Sequence, residues 1–270
     1  MDVHMGIQLA DIVFGYGTHQ VVCGASLHLP AGQFGAILGR NGSGKSTLLR
    51  IAAGLQLPHE GTVQVAGDNL HQLDARQRAK RVGFLAQFHQ PEFSFLVHEV
   101  VLTGRASSVF SVPGEQDRAA AWQAMEELGI THLAHRPYDE LSGGERQMVM
   151  IARLLAQNPS ALLLDEPVSS LDLANQMHLL RTLRRLADQG LTVLAILHDP
   201  NHALLFADQV FYMESGCISQ PEKDAPLADA ARISRLYGIE VCTADIEGTT
   251  VVIPKPDRAR QSHGTQEPAP

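Results

Sequence analysis

Gly39-Arg40-Asn41-Gly42-Ser43-Gly44-Lys45-Ser46 stands between the apolar run Phe34–Leu38 and a segment in which Leu48, Leu49, Ala52 and Ala53 precede Gly54. The octet fits G-x-x-x-x-G-K-[ST] in the strand–loop–helix setting that gives the pattern its meaning. Its glycines let successive backbone N–H groups converge on a polyphosphate, and the following helix adds the partial positive charge of its N-terminus. Lys45 supplies a point charge for β- and γ-phosphates, and Ser46 a hydroxyl for Mg²⁺. The competing reading is a Gly-rich turn with an accidental Lys-Ser, and the flanking strand and helix argue against it.

On either side of this loop the chain alternates between strand and helix patterns. Residues 6–38 read as short strands punctuated at Gly15–Gly17 and Pro30–Gly32, with further strand-like pieces at Thr62–Ala66 and Val82–Ala86. From about 89 to 158 the pattern is helical. Within Asp117–Leu128, the residues Ala121, Trp122, Met125 and Leu128 are expected on one face, with Gly129 as the stop. Ala161–Leu164 is a continuous apolar run, as in a strand buried on both faces. Leu173, Met177, Leu180, Leu183 and Ala187 recur at helical spacing up to Gly190, and strands are expected at Thr192–Leu197 and Gln209–Met213. Strand, helix, strand at this spacing implies an α/β fold with a parallel sheet and crossover helices.

Composition narrows the function classes. With 44% hydrophobic and 19% charged residues, the 270-residue chain is not mainly disordered, collagen-like or a long coiled coil. A formal net charge of −8 weighs against nucleic-acid binding, because no global positive field draws in phosphates. Cys23, Cys217 and Cys242 are odd in number and far apart, which fits a reducing compartment better than a disulfide framework. There is no basic-then-apolar secretory leader and no run approaching the ~18–20 apolar residues of a membrane span. Taken alone, the chain is expected to be soluble and cytoplasmic. Lys255–Pro270 carries three prolines and no hydrophobic residue larger than Ala, so it is expected to be a disordered tail.

Two further motifs carry chemistry. Leu162-Leu163-Leu164-Asp165-Glu166 ends a buried strand in two carboxylates, and ligands of open parallel sheets bind beyond the carboxyl ends of the strands. Asp165 is suited to Mg²⁺ and Glu166 to polarising an attacking water. An Asp-Glu pair alone more often begins a solvated turn; the phosphate loop shifts the balance. Leu141-Ser142-Gly143-Gly144-Glu145 opens a helix, which makes a second anion-binding N-terminus or merely an N-cap with flexible lead-in. One nucleotide does not need two such sites from one chain, unless the second serves the nucleotide of another protomer. Two histidine pairs, His198/His202 and His132/His135, have metal-like spacing, but no third ligand is suggested near either.

That two-protomer arrangement is found in ATP-binding cassette proteins, which this sequence resembles over nearly its whole length before the tail. The resemblance runs through the phosphate loop at 39–47, the signature Leu141–Glu145 and the Walker B strand Leu162–Glu166. It also includes Gln87 after Phe84-Leu85-Ala86 as the Q-loop, Ser169-Ser170-Leu171-Asp172 as the D-loop, and His198 as the switch histidine. Tyr16, in Phe14-Gly15-Tyr16-Gly17, matches the aromatic residue that stacks on adenine. The family implies a P-loop NTPase (RecA-like) parallel-sheet core with an N-terminal antiparallel β subdomain and an inserted helical signature subdomain. One domain is expected over 1–254: a core with β subdomain at 1–88 and 159–215, a helical subdomain at 89–158, and an α/β extension at 216–254.

The same resemblance implies an ATPase using ATP and Mg²⁺. Its expected catalytic residues are Glu166, His198, Lys45 and Gln87. Nucleotide contacts are expected from Tyr16, Gly39, Asn41, Gly42, Ser43, Gly44, Lys45, Ser46 and Thr47, and across the dimer from Ser142, Gly143, Gly144 and Asp172. Ser46, Gln87 and Asp165 are the expected Mg²⁺ contacts. Val168, Ser170 and Pro200 depart from the usual Thr, Ala and Leu, and none of these changes removes a catalytic group.

One motif set, no membrane span and no long coiled-coil insertion point to a separate ATPase subunit of an importer, peripheral on the cytoplasmic face of the membrane. The chain after Asp208 is too short for the regulatory barrel of sugar importers. Phe93–Arg105, Thr131–Ala134 through Leu141, and Arg235–Glu240 resemble the iron-siderophore, haem and cobalamin importer group. Leu171–Gln176 is compatible with its molybdate and tungstate relatives. The implied partners are a second copy of the chain, membrane permease subunits contacted through about 89–105, and indirectly an external substrate-binding protein. The rivals are an ATPase with a soluble partner and a non-catalytic nucleotide sensor.

Overall fold

The computed structural model describes residues 6–86, 95–107, 112–220 and 229–255. Strands β1 (Ile7–Tyr16), β2 (His19–Leu29) and β3 (Phe34–Leu38) lead to helix α1 (Lys45–Ala52), then to β4 (Glu60–Val65), β5 (Asp68–Asn69), α2 (Ala75–Arg81) and β6 (Val82–Leu85). Helices α3 (Val97–Leu102), α4 (Glu115–Glu127) and α5 (Gly143–Ala156) follow without an intervening strand among the described residues. The chain then alternates through β7 (Ala161–Asp165), α6 (Leu173–Asp188), β8 (Thr192–Ile196), α7 (Pro200–Phe206), β9 (Gln209–Glu214) and β10 (Cys217–Ser219). It closes with α8 (Ala230–Tyr237) and the hairpin β11 (Val241–Ile246), β12 (Thr249–Pro254).

The central sheet has the order β10-β9-β3-β8-β7-β6, and all of its pairings are parallel except β10 with β9. β3, β7 and β8 are buried at every residue because both faces of the sheet are covered. The period of two sorts their side chains. Phe34, Ala36, Leu38, Leu162, Leu164, Val193 and Ala195 join the helices α4, α5 and α6 in one apolar cluster; Ile37, Leu163, Leu194 and Ile196 join α1 and the antiparallel sheet in the other. That second sheet, β2-β1-β4-β5, is antiparallel.

In β1 the inward positions run Ile7, Leu9, then Ile12 and Phe14. The step of three is a β-bulge at Asp11, whose φ is +52° and whose N–H donates to Ser26 Oγ at 2.8 Å. α1 stops at Gly54, left-handed at φ +69°.

One sequence expectation fails on the helices. Ala121, Met125 and Leu128 are buried with Ala124, but Trp122 is 42% exposed and its Nε1 donates to Glu126 Oε1 at 3.1 Å. A residue adjacent to Ala121 is turned ~100° from it, so the buried stripe runs through the i+3 and i+4 neighbours instead. The helical spacing expected over Leu173–Ala187 is that of α6, in which Leu173 at the first turn is 72% exposed and Leu179, Leu180, Leu183 and Ala187 are buried. Gln87 and the tail at 256–270 lie outside the described residues, as do positions 89–94 of the segment expected to meet a permease.

Candidate functional site

β3, β8 and β7 are neighbours in the sheet, so Leu38, Ile196 and Asp165 bring three loops to one edge. Beyond β3, residues 39–44 wrap around the N-terminus of α1. Gly42 and Gly44 have φ of +80° and +102°, and a Cβ on Gly39 would stand 2.4 Å from the Met213 carbonyl oxygen. The N-cap of α1, Gly44, offers no side-chain acceptor and the first turn holds no acidic residue, so its N–H groups are left for an anion.

Lys45 is 5% exposed and donates from Nζ to the carbonyls of Gly39 and Arg40, both at 2.8 Å. Burial pushes its ammonium below the ordinary lysine range, while Glu166 and Asp165 pull it partly back. Ser46 Oγ donates to Asp165 Oδ1 at 3.1 Å, although the two are 119 residues apart. Burial raises the Asp165 carboxyl above its ordinary range; the Ser46 hydroxyl opposes this and Glu166 adds to it. A hydroxyl beside a carboxylate is an oxygen donor set suited to a hard divalent cation.

Glu166 turns away from its strand in the left-handed region, φ +53°, a conformation that costs a non-glycine residue about 1–3 kcal/mol. Its carbonyl accepts from the Ser169 hydroxyl at 3.1 Å, which helps fix the turn. The result aims its side chain at the next loop: Oε1 lies 2.6 Å from His198 Nε2, with Glu166 13% and His198 43% exposed. A cleft of ≈ 410 Å³ opens here, lined by Asn41, Gly42, Gly44, Lys45, Ser46, Thr47, Glu166 and His198, together with Val21 of β2. Val21 carried no sequence signal; it reaches the cleft only because β2 crosses beside the phosphate loop, its carbonyl against Gly44.

Among the described residues, Ser142, Gly143, Gly144, Asp172 and Tyr16 do not line this cleft. Ser142 caps α5 reciprocally with Glu145: Glu145 N–H donates to Ser142 Oγ at 3.3 Å and Ser142 N–H to Glu145 Oε2 at 2.8 Å. A Cβ on Gly144 would meet Leu171 Cδ2 at 3.2 Å, and Gln147 Nε2 donates to the Pro167 carbonyl at 3.2 Å, so the α5 N-terminus is tied to the loop after β7. Asp172 caps α6, accepting from Asn175 N–H at 2.8 Å. Tyr16, at the tip of the β1–β2 hairpin, is 52% exposed and meets the Phe14 ring edge-on at 5.0 Å.

A parallel sheet with a phosphate loop after one strand, and an acidic pair after a neighbouring one, defines a P-loop nucleotide hydrolase. The family model described as ABC transporter matches residues 22–169. The chain therefore belongs to the ABC transporter family, as an ATP-hydrolysing cassette. It is 37% identical to the ferric enterobactin transport ATP-binding protein FepC of Escherichia coli (strain K12), covering 90% of this chain and 92% of that one. It is 34% identical to the hemin import ATP-binding protein HmuV of Rhodococcus jostii (strain RHA1), over 90% and 84%. Among solved structures, a metal-chelate type ABC transporter in an inward-facing conformation superposes with a TM-score of 0.81 at 30% identity, covering 94% of this chain and 98% of that one. The dimeric cassette MJ0796, bound to ADP and Pi after hydrolysis, superposes with a TM-score of 0.71 at 28% identity, over 82% and 99%. No helix among the described residues is long and apolar enough to cross a membrane.

Proposed function

We propose that the chain is the ATP-hydrolysing subunit of an importer for a metal chelate of the iron-siderophore, haem or cobalamin class, with molybdate or tungstate as the neighbouring cargo. The observation that carries this reading is the likeness to the ferric enterobactin protein, which spans nine-tenths of both chains. Residues 1–254 act as one cassette. It sits as a peripheral subunit on the cytoplasmic face, against permease subunits met through about 89–105, and an external substrate-binding protein delivers the cargo.

Two copies close head to tail. Each ATP lies between the 39–47 loop of one copy and Ser142, Gly143, Gly144 and Asp172 of the other, with Tyr16 on the adenine. The absence of Ser142–Gly144 from their own chain's cleft supports this arrangement, as does the open space around the missing Cβ of Gly143. Arriving phosphates offer Lys45 stronger acceptors than the two loop carbonyls it now holds, so its ammonium turns to the β- and γ-phosphates. Ser46 and Asp165, with Gln87, would hold Mg²⁺, which when bound offsets charge on the phosphoryl group. Glu166 takes the proton of the attacking water and His198, hydrogen-bonded to it, holds the γ-phosphate side. Loss of the γ-phosphate removes a charged bridge between copies, and the dimer opens.

The test is affinity purification of the tagged Glu166→Gln chain from detergent-solubilised cells. An amide cannot accept the water's proton, so turnover falls by about 10²- to 10⁴-fold and an ATP-bound dimer accumulates. A co-purifying protein with many membrane spans is the expected companion. A soluble companion, with no membrane protein despite a trapped dimer, would overturn the importer reading; wild-type turnover would overturn the role of Glu166.

A further inference from the structure

Past β8 the chain leaves the sheet. The Leu197 N–H still donates to the Ile37 carbonyl at 3.2 Å, but the residue after His198 is already Asp199, the N-cap of α7. α7 is seven residues long, too short to hold its leading turn by helix formation alone. Two side-chain clasps, one from each side, join that turn to the C-terminal segment. The Tyr237 hydroxyl donates to the His198 carbonyl at 3.2 Å. The Asn201 carboxamide accepts from the Val252 N–H at 2.7 Å and donates to the Val252 carbonyl at 3.2 Å, as a neighbouring strand would.

α8 seats the tyrosine. Ile233, one turn earlier, and Leu236 are 1% and 2% exposed, and Gly238, left-handed at φ +69°, ends the helix with its N–H on the Ser234 carbonyl at 2.8 Å. Ser234 Oγ accepts from the Val241 N–H at 3.1 Å, hooking the hairpin to the same helix. Burial, with Asp199 and Tyr212 adding to it, pushes the Tyr237 phenol up to about 12, so it stays a neutral donor at working pH.

We infer that Tyr237 is a positioning residue: its hydroxyl holds the His198 peptide, and with it the imidazole, in register with Glu166, while Asn201 steadies the same turn from the other side. The inference rests on the reading of Glu166 and His198 as the pair that organises the attacking water. Tyr237, Asn201 and Val252 all lie beyond the 22–169 matched by the family model.

Tyr237→Phe keeps the ring and removes one hydroxyl. The expected result is a fall in kcat for ATP of about 2- to 12-fold, the range spanned by one neutral hydrogen bond, with KM within about two-fold. In a His198→Ala background the same substitution has no further effect, because the group it acts through is gone. Unchanged kcat in Tyr237→Phe overturns the inference, and so does a loss that multiplies undiminished onto that of His198→Ala. If His198→Ala alone keeps wild-type kcat, the reading of the catalytic pair falls first, which is a different result. Should Tyr237→Phe fold poorly, Asn201→Ala releases the turn from β12 without touching α8. The same kcat-over-KM split, and its disappearance beside His198→Ala, is then required.

Discussion

Adding one methyl group at Gly44 or at Gly42 separates two costs that the phosphate loop imposes. At Gly44, φ is +102°, and a Cβ would stand 2.7 Å from the Val21 carbonyl oxygen and 3.0 Å from Met213 Cε. The backbone strain costs about 1–3 kcal/mol. Moving β2 or the loop aside costs about another 1–3 kcal/mol, since the nearest atom is backbone. The stiffer unfolded chain returns about 0.4–1 kcal/mol. Gly44→Ala should therefore destabilise the protein by about 1–6 kcal/mol, lowering Tm by about 2–4 °C for each kcal/mol in a chain of this size. At Gly42, φ is +80° but among the described residues no atom beyond its chain neighbours lies within 4 Å of the added Cβ, so only the strain remains.

Thermal melting of the two variants, with and without ATP, is the assay. Gly42→Ala should lose clearly less than Gly44→Ala. Because a ligand that binds only the folded state raises stability, the ATP-dependent rise in Tm should shrink most for Gly44→Ala, whose displaced loop no longer aims its N–H groups at the phosphates. Equal Tm losses would refute the steric argument. A full ATP-dependent rise in Gly44→Ala would refute the claim that the close packing of Val21, Gly44 and Met213 shapes the phosphate site.

Asp165→Asn should raise the Tm of the nucleotide-free protein at neutral pH while removing Mg²⁺-dependent turnover. Burial raises this carboxyl, so its charged form opposes folding; the stability it contributes is present at low pH and lost as pH rises through its folded pKa. The gain should shrink as pH falls below that value, and a gain that grows toward acid would contradict the assigned direction. In α4, Met125→Ala should cost about 2–5 kcal/mol in denaturant unfolding, because Met125 is fully buried. Trp122→Ala should cost much less, since its ring is half in solvent; comparable losses would restore the stripe expected from the sequence.

What the amino-acid sequence determined by itself is what short-range geometry and burial dictate. The Gly-rich octet needs its own backbone freedom and an adjoining strand and helix, all within about 20 residues. The unbroken apolar runs at 34–38, 161–164 and 193–197 announce strands covered on both faces, and they are fully buried. The cap at Ser142 is legible for the same reason, being a side-chain-to-backbone bond inside one turn.

Only the tertiary structure decided which of these pieces meet. Nothing local requires the Glu166 carboxylate to stand 2.6 Å from His198; the strand order β3-β8-β7 and the left-handed turn at Glu166 bring them together. The same holds for Val21 in the cleft, and for the bulge at Asp11 that breaks a period of two. It holds also for Trp122, turned outward because its helix has only one covered side. Tyr237 reaches the His198 carbonyl across 39 residues of chain. The physical reason is common to all of these. Periodicity tells a side chain whether it faces a core, whereas its neighbour there is set by the packing of other elements, whose long-range partners leave no pattern in the local sequence.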